Sequence, residues 1–184
     1  MNSKHINGIS VVSLDAGEKL GNVNDIVFEE DGRRIAALGV HVASGSRAAD
    51  LANPSWLAAK DVHAIGPDAL TVQSFSVLRE SPPADATLHL DDLLKRKVVT
   101  ASGVYVGQVA SVEVADDSPA ATEIEVSPGL LKSNRMVPID QVSTIGEEMV
   151  IVSDAAVADE TGAESEPQPE TGHLVGDVEP LPRS

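Results

Sequence analysis

The chain has no cysteine and very few aromatic residues, and both absences limit what it can be. Without cysteine there is no disulfide framework, thiolate zinc site or cysteine nucleophile. Aromatic residues make up only 2% of the 184 residues, so a packed core has to be built from valine, isoleucine, leucine and alanine. Valine and isoleucine favour strands. The composition therefore favours a β fold with a thin aliphatic core.

Segments that would direct the chain to a membrane are also missing. A signal peptide needs an apolar run of about 7–15 residues, and the N-terminal sequence MNSKHINGISVV has none. No stretch approaches the ~20 apolar residues of a transmembrane helix. We therefore expect a soluble, cytoplasmic protein without a membrane span.

Acidic residues outnumber basic ones along the whole chain, and the net charge is −16. From Asp154 onward there are eight acids and one base, which gives −7. The preceding residues carry 29 − 8 = 21 acids and 13 − 1 = 12 bases, which gives −9. Lysine and arginine contacts to phosphate dominate nucleic-acid affinity. The acidic body thus argues against nucleic acid as a partner and against docking on an anionic membrane.

One small β unit occurs twice. The stretch Met136–Val152 (MVPIDQVSTIGEEMVIV) predicts a short strand, a helical turn and two more short strands, and Trp56–Val72 (WLAAKDVHAIGPDALTV) repeats this pattern. Before these stretches, glycines and aliphatic residues match at an offset of 86, and within them the offset is 80. The difference is the extra length of the first unit's loop, Ala43–Pro54. One shift explained by one loop is what a duplication predicts.

Each unit also predicts a hairpin before its closing stretch. Asp31-Gly32 between two apolar runs is a strong hairpin signal. A helical turn is expected at Asp91–Lys95, and Ile145 is expected in the core. The hairpin strands are predicted at Leu20–Glu30 and Ile35–Val42 in the first unit, and at Val104–Ala115 and Thr122–Val126 in the second.

From Asp154 the composition shifts to Glu, Pro, Thr, Ser and Gly, with few large apolar residues. Such a segment buries too little apolar surface to offset the entropy lost on ordering. We therefore predict a disordered acidic tail. The predicted organisation is repeat 1 at 3–76, a linker at 77–88, repeat 2 at 89–153 and the tail at 154–184.

Each unit resembles the PRC-barrel domain, a small β-barrel named after the H subunit of the photosynthetic reaction centre. The similarity rests on LDDLLKRKVV, on the glycine turns AGEKLGNV and SGVYVGQV, on the hairpin NDIVFEEDGRRIAALGV and on MVPIDQVSTIGEEMVIV. It covers roughly residues 3–153. The first copy departs at Ala58–Asp61, which replaces the Pro-Ile-Asp pattern, and Lys95 stands where the family often has glycine.

The resemblance implies an all-β fold of two tandem PRC-type β-barrels packed as a pseudo-symmetric pair. The family also occurs in a ribosome maturation factor and in many small prokaryotic proteins. It has no catalytic, cofactor-binding or metal-binding residues to transfer to this chain. It does have a tendency to pair barrels, so self-association through the barrels is one expectation.

The leading hypothesis is a non-enzymatic scaffold or adaptor for a protein partner that the sequence does not identify. Neither HxH nor HExxH spacing occurs among the histidines, which are His5, His41, His63, His89 and His173. One alternative is an RNA-processing or ribosome-assembly accessory that acts through a ribosomal protein. Another is a small-ligand binder or enzyme that uses a cleft between the barrels.

Five residues are candidates for partner contact: Trp56, Arg47, Lys95, Arg96 and Lys97. Trp56 is the sole tryptophan, and it is either a buried anchor or a partly exposed contact, since tryptophan is enriched in interface hot spots. The basic run from Lys95 to Lys97 either contacts an acidic partner or the protein's own tail, or is a solvated strand edge. Acid pairs at the predicted turns are expected to be solvated hairpin tips.

Overall fold

The computed structural model describes residues 1–50, 55–116, 118–129 and 133–160. Within these residues there are two short α-helices, α1 (Ser3–Ile6) and α2 (Leu90–Leu93). The strands in the same residues are β1 (Ser10–Ser13), β2 (Glu18–Phe28), β3 (Ile35–Val42), β4 (Trp56–Ala58), β5 (Val62–Ile65), β6 (Ala69–Val72), β7 (Leu88–His89), β8 (Lys97–Thr100), β9 (Tyr105–Val114), β10 (Ala121–Ser127), β11 (Arg135–Pro138), β12 (Val142–Ile145) and β13 (Met149–Val152).

The strands form two sheets of the same order, β4-β3-β2-β1-β6-β5 and β11-β10-β9-β8-β13-β12. β1 runs parallel to β6, and β8 to β13, while the other neighbours are antiparallel. The end strands β4 and β5 are joined only by the turn Ala59–Asp61, and β11 and β12 by Ile139–Gln141. Such connections span at most ~14 Å, so each sheet must curl until its edges approach. The predicted all-β pair of tandem barrels is confirmed.

Two of the repeated glycines are required by close contact between neighbouring strands. A Cβ on Gly21 would lie 2.2 Å from the His41 carbonyl oxygen. The equivalent Cβ on Gly107 would lie 2.4 Å from that of Ser127. These backbone contacts explain why both copies have glycine here.

Aliphatic residues of both sheets belong to one hydrophobic core cluster. Phe28 is the largest of its fully buried side chains. Ile145, expected in the core, is only partly buried. It lies where the two barrels meet, since a Cβ on Gly32 of the first hairpin would be 2.4 Å from its Cδ1.

The two barrels are related by a pseudo-twofold axis at their hairpins. Arg34 pairs with Ala120, which is its equivalent one repeat later. Beside this pair, the Ile35 N–H donates to the Pro119 carbonyl at 2.7 Å, and the equivalent bond donated by the Ala121 N–H measures 2.8 Å. The two bonds are images of each other, as a pseudo-symmetric pair requires.

The hairpin tip of the first barrel has a structural role besides facing solvent. Glu30 and Asp31 at this tip are exposed, as expected. Arg33, however, reaches the second barrel, and its guanidinium donates to the Val142 carbonyl at 3.0 Å and to the Ile139 carbonyl at 3.4 Å. The tip therefore helps to join the barrels.

The segment that precedes each barrel packs on the other barrel. α1 lies against β9, where Asn2 Nδ2 donates to Ser111 Oγ at 2.9 Å. In the opposite direction, β7 pairs with the end of β2, and His89 Nδ1 lies 2.8 Å from Asp25 Oδ2. The repeat relates Asn2 to His89 and Ser111 to Asp25, so the two contacts are reciprocal.

We call these two segments, residues 2–6 and 88–93, the crossed arms. Each arm buries an aliphatic side chain: Ile6 is 0% exposed and Leu93 is 1% exposed. The predicted linker, 77–88, therefore ends inside the fold, because Leu88 already pairs with Phe28.

Lys95 follows the second arm with a φ of +73°. Its counterpart in the first repeat is Gly8, with a φ of +92°. In this left-handed region the Cβ of an L-residue crowds the following carbonyl, at a cost of roughly 1–2 kcal/mol. The lysine thus occupies a position whose backbone favours glycine.

Replacing Lys95 by glycine is expected to raise the free energy of unfolding by roughly 0.5–1 kcal/mol, because the strain removed exceeds the extra freedom of glycine in the unfolded chain. Urea denaturation measures the change. Lys95→Ala serves as the control, since it removes the charge and keeps the strain. Equal stabilisation by both substitutions would show that charge, not backbone conformation, is responsible.

The first seven residues of the predicted tail, Asp154–Glu160, form a 3-10 helix. The Ser102 hydroxyl and N–H donate to Asp154 Oδ1 at 2.6 and 3.1 Å. These bonds, the hydroxyl's above all, lower the pKa of Asp154. Residues 154–160 therefore belong to the fold, and the rest of the predicted disordered tail, 161–184, lies outside the described residues.

Candidate interaction surface

Trp56 connects the first barrel to the segment that leads to the second. Its ring meets that of His89 edge to face, with centroids 6.4 Å apart and planes at 71°. The backbone N–H of Trp56 donates to the Arg79 carbonyl at 3.0 Å, and the Trp56 carbonyl accepts from the backbone N–H of Arg79 at 2.8 Å. The side chain is partly buried. Trp56 is thus an internal anchor, and its role in partner binding stays a prediction.

Arg47 lies in a 3-10 turn of the first barrel's loop, at Arg47–Asp50. Its side chain is 65% exposed, and its Nε lies 3.7 Å from Glu18 Oε2. A hydrogen bond from the Ser13 hydroxyl lowers the pKa of the nearby Asp15, and the charge of Arg47 acts in the same direction. Arg47 therefore lies among acids of its own barrel.

The basic run does not act as one cluster. Lys95 and Lys97 are exposed, whereas Arg96 is partly buried. The Arg96 side chain donates to the Asp92 carbonyl at 2.8 Å and to the Gly146 carbonyl at 2.5 Å. Arg96 thus fastens α2 to the turn between β12 and β13, and the two lysines are the residues that face solvent.

Of the five histidines, His173 lies outside the described residues, and the other four lie on four different helices and strands. His41 and His63 are exposed, and His89 is paired with Asp25 in the second arm. In residues 1–160, apart from the undescribed gaps, no group of three or more His, Asp or Glu side chains is placed to hold a metal ion. None of the helices in the described residues has both the length and the apolarity to cross a membrane.

Clefts lie between the barrels in the part of the chain that the structure describes. One has a volume of ≈ 130 Å³ and is lined by residues of the first barrel, such as Ile35 and His63, and by Asp116 and Pro119 of the second. Its pseudo-symmetric counterpart lies between Arg33 and β12 and has a volume of ≈ 300 Å³. Small-molecule pockets are typically about 300–1,000 Å³. The clefts are thus at or below the size that the ligand-binding hypothesis requires.

The second barrel has apolar side chains on the outer face of β9, β8 and β13. Tyr105 on β9 is opposite Val99 on β8, which is opposite Ile151 on β13. Residues directly opposite each other project from the same face of a sheet. Tyr105 is 56% exposed, Val104 next to it in the chain is 54% exposed, and Met149, two residues before Ile151 on β13, is 40% exposed. We call this surface the apolar strip; it consists of Val99, Val104, Tyr105, Met149 and Ile151.

The first barrel has mostly polar or small residues at the same positions. There Val12 on β1 is opposite Lys19 on β2 and Thr71 on β6. Glu18 and Ala69 stand where the strip has Val104 and Met149. A contiguous exposed apolar surface marks a site of interaction more often than scattered apolar residues do. The two copies thus share a fold and differ in this outer face.

The two ends of the apolar strip are bordered differently. At one end, the turn between β8 and β9 holds Ser102, to which Asp154 is hydrogen bonded. The helix that starts at Asp154 also contacts β8. At the other end Lys97 is paired with Met149, and Lys95 lies nearby in the chain. The strip therefore runs from the turn that holds Ser102, where the helix starts at Asp154, to a pair of exposed lysines.

A family model for the PRC-barrel domain matches residues 1–77 and 86–158. The two matched segments correspond to the two barrels of the structure. No curated protein matches the chain.

Proposed function

The chain belongs to the PRC-barrel domain family, with two tandem copies, and from this we propose that it is a non-enzymatic adaptor that binds a protein partner. The observation that carries the proposal is the apolar strip. The second barrel exposes tyrosine, methionine and aliphatic side chains, whereas the first has the exposed Lys19 and the partly buried Thr71 at the same positions. The first barrel has the same fold without an apolar outer face. The apolar face of the second barrel is therefore not needed for folding and indicates a separate role.

The composition of the strip suits a protein interface. Tyrosine and methionine are enriched in interface cores, while lysine and glutamate are depleted. Tyr105 supplies a large side chain with a polar end, as hot-spot residues do. Lys95 and Lys97 would form part of the polar rim. A partner of this surface therefore offers an apolar patch with acidic groups on the lysine side.

The proposal is tested with variants that the repeat itself supplies. Tyr105→Lys combined with Ile151→Thr gives the second barrel the residues of the first at these positions. Bait protein carrying these changes is compared with wild type in pull-downs from a lysate of the cells that produce the chain. We expect a partner recovered by wild type to be lost from the variant by about tenfold or more, which corresponds to ~1.4 kcal/mol.

The matched control is Lys19→Ala in the first barrel, which should recover the partner as well as wild type does. Equal recovery by the strip variant, or no specific partner for wild type, would overturn the proposal. A basic ribosomal protein is one partner that the acidic body suits electrostatically. Co-sedimentation with ribosomal subunits that weakens as salt is added would identify that case.

A further inference from the structure

The clefts beside β5 and β12 are equivalent by the repeat, and they differ at one position of the hairpin tip. In the cleft beside β12 this position is Arg33, whose guanidinium donates to the Val142 and Ile139 carbonyls. In the cleft beside β5 it is Pro119, which the offset of 86 relates to Arg33. We call these the arginine cleft and the proline cleft. The proline cleft thus has no arginine of its own at the position that Arg33 occupies in the other.

The backbone acceptors that bind Arg33 recur in the proline cleft. The offset of 80 relates Val142 to Val62, and it relates Ile139 to Ala59. Both Val62 and Ala59 line the proline cleft. The Ala59 carbonyl accepts from the N–H of Val62, as the Ile139 carbonyl accepts from the N–H of Val142. A carbonyl oxygen has two lone pairs, so the Ala59 carbonyl can accept a second hydrogen bond, as the Ile139 carbonyl does from Arg33.

The walls of the proline cleft suit the stem of one long side chain. Its lining includes the aliphatic residues Ile35, Leu38, Val62 and Ile65. The volume of ≈ 130 Å³ is close to that of a cavity of about 150 Å³ that holds one benzene. Arginine packs its methylene stem along apolar surface and keeps its charged head at polar groups. The cleft therefore has room for one such side chain.

An acid lines the proline cleft as well. Asp116 lies there, and its repeat equivalent Glu30 lines the arginine cleft. The Asp116 side chain is 86% exposed, and its Oδ1 lies 3.2 Å from the N-terminal ammonium. A carboxylate accepts about four hydrogen bonds, so acceptors remain for another cation. A guanidinium presents its donors in a planar fork that matches a carboxylate, whereas the ammonium of lysine is a compact point charge. The acceptors of the cleft therefore favour arginine.

We infer that the proline cleft binds an arginine side chain of a partner protein. The guanidinium contacts the carbonyls of Ala59 and Val62 and the carboxylate of Asp116, and the stem lies along the aliphatic wall. The chain's own Arg33 has the same arrangement in the equivalent cleft. The inference goes beyond the proposed function, because the cleft and the apolar strip have no residue in common. An acidic chain also attracts a basic partner at long range.

The experiment titrates ¹⁵N-labelled full-length protein with the peptide acetyl-Gly-Arg-Gly-amide. We expect saturable shifts of the amide signals of Val62, Ile65 and Ser118, which line the proline cleft. The matched peptide with citrulline keeps the shape of arginine and lacks its charge. It should bind about tenfold more weakly, which corresponds to ~1.4 kcal/mol. Equal binding of the two peptides, or no saturable shift at the cleft, would overturn the inference.

The repeat supplies the variants that assign binding to this cleft. Pro119→Arg gives the cleft its own arginine and should weaken binding of the arginine peptide about tenfold or more. Arg33→Ala opens the equivalent cleft and should add a second set of shifts, at Val142 and Ile145. The control for the charge added by Pro119→Arg is Gln108→Arg, at an exposed position of β9. It should bind the peptide as wild type does.

Undiminished binding by Pro119→Arg would contradict the inference. Equal loss of binding in Gln108→Arg would also contradict it, because binding would then follow net charge alone. If Pro119→Arg does not fold, the absence of a second set of shifts in Arg33→Ala decides against the inference instead. The variant with Tyr105→Lys and Ile151→Thr should bind the arginine peptide as wild type does, so this inference and the adaptor proposal can fail separately.

Discussion

Phe28→Ala is expected to lower the free energy of unfolding by about 3–5 kcal/mol. Phe28 is 0% exposed, and it lies opposite Ile35 on one side and Leu88 of the second arm on the other. Truncation therefore loses the burial of a large apolar side chain and leaves a cavity where three strands meet. In a core with only two phenylalanines, few neighbouring side chains are large enough to fill it. Urea denaturation measures the loss.

Two variants separate cavity formation from other effects of substitution at this position. Phe28→Leu keeps most of the volume and should cost less than about 1.5–2 kcal/mol. Val114→Ala, at the equivalent position of the second barrel, removes fewer atoms. It should therefore lower the free energy of unfolding by less than Phe28→Ala does. A cost of Phe28→Ala near that of Phe28→Leu would mean that the arm and barrel collapse onto the cavity.

Leu93→Ala is expected to lower the free energy of unfolding by about 2–5 kcal/mol and to destabilise both barrels at once. Leu93 is 1% exposed and belongs to the second repeat by sequence, yet α2 contacts β2 of the first barrel. Trp56 in the first barrel and Tyr105 in the second are the only residues of their kinds. Denaturation monitored at each residue therefore reports on one barrel, and both midpoints should fall together.

Leu14→Ala is the matched control for this substitution. Leu14 is 45% exposed, and changes at exposed positions usually stay within about 0.5 kcal/mol. If the Trp56 and Tyr105 transitions separate in Leu93→Ala, the crossed arms do not couple the barrels. Wild type must show coincident transitions for the comparison to be valid.

Much of the fold could be predicted from the sequence because the duplication doubles every signal. The alternating pattern predicts the return strand at Ile35–Val42, and the structure has it at the same residues. The strand, turn and strand order of Met136–Val152 was also correct. Here the alternation of apolar and polar residues, the glycine turn and the matching pattern in the other repeat all indicate the same strands. Where those local signals were absent, as at Ser3–Ile6, the helical turn was missed.

What could not be predicted depends on contacts between the barrels. The sequence does not show that Ile145 faces Gly32 of the other copy. Nor does it show that the Arg96 side chain donates its hydrogen bonds to backbone carbonyl groups. The apolar strip was missed for a related reason. Val99 and Ile151 look like core residues until the strand register shows which face they occupy. Comparing outward positions between the two copies is the signal that would have found it.

The crossed arms also set the order in which the chain can fold as it is synthesised. The first barrel receives β7 and α2 from residues 88–93, so Phe28 and its neighbours stay uncovered until those residues have left the ribosome. α1, by contrast, is synthesised before the second barrel. This arm is therefore available to pack when β9 leaves the ribosome. We therefore expect the first barrel to complete its packing only after residues 88–93 of the second repeat have been synthesised.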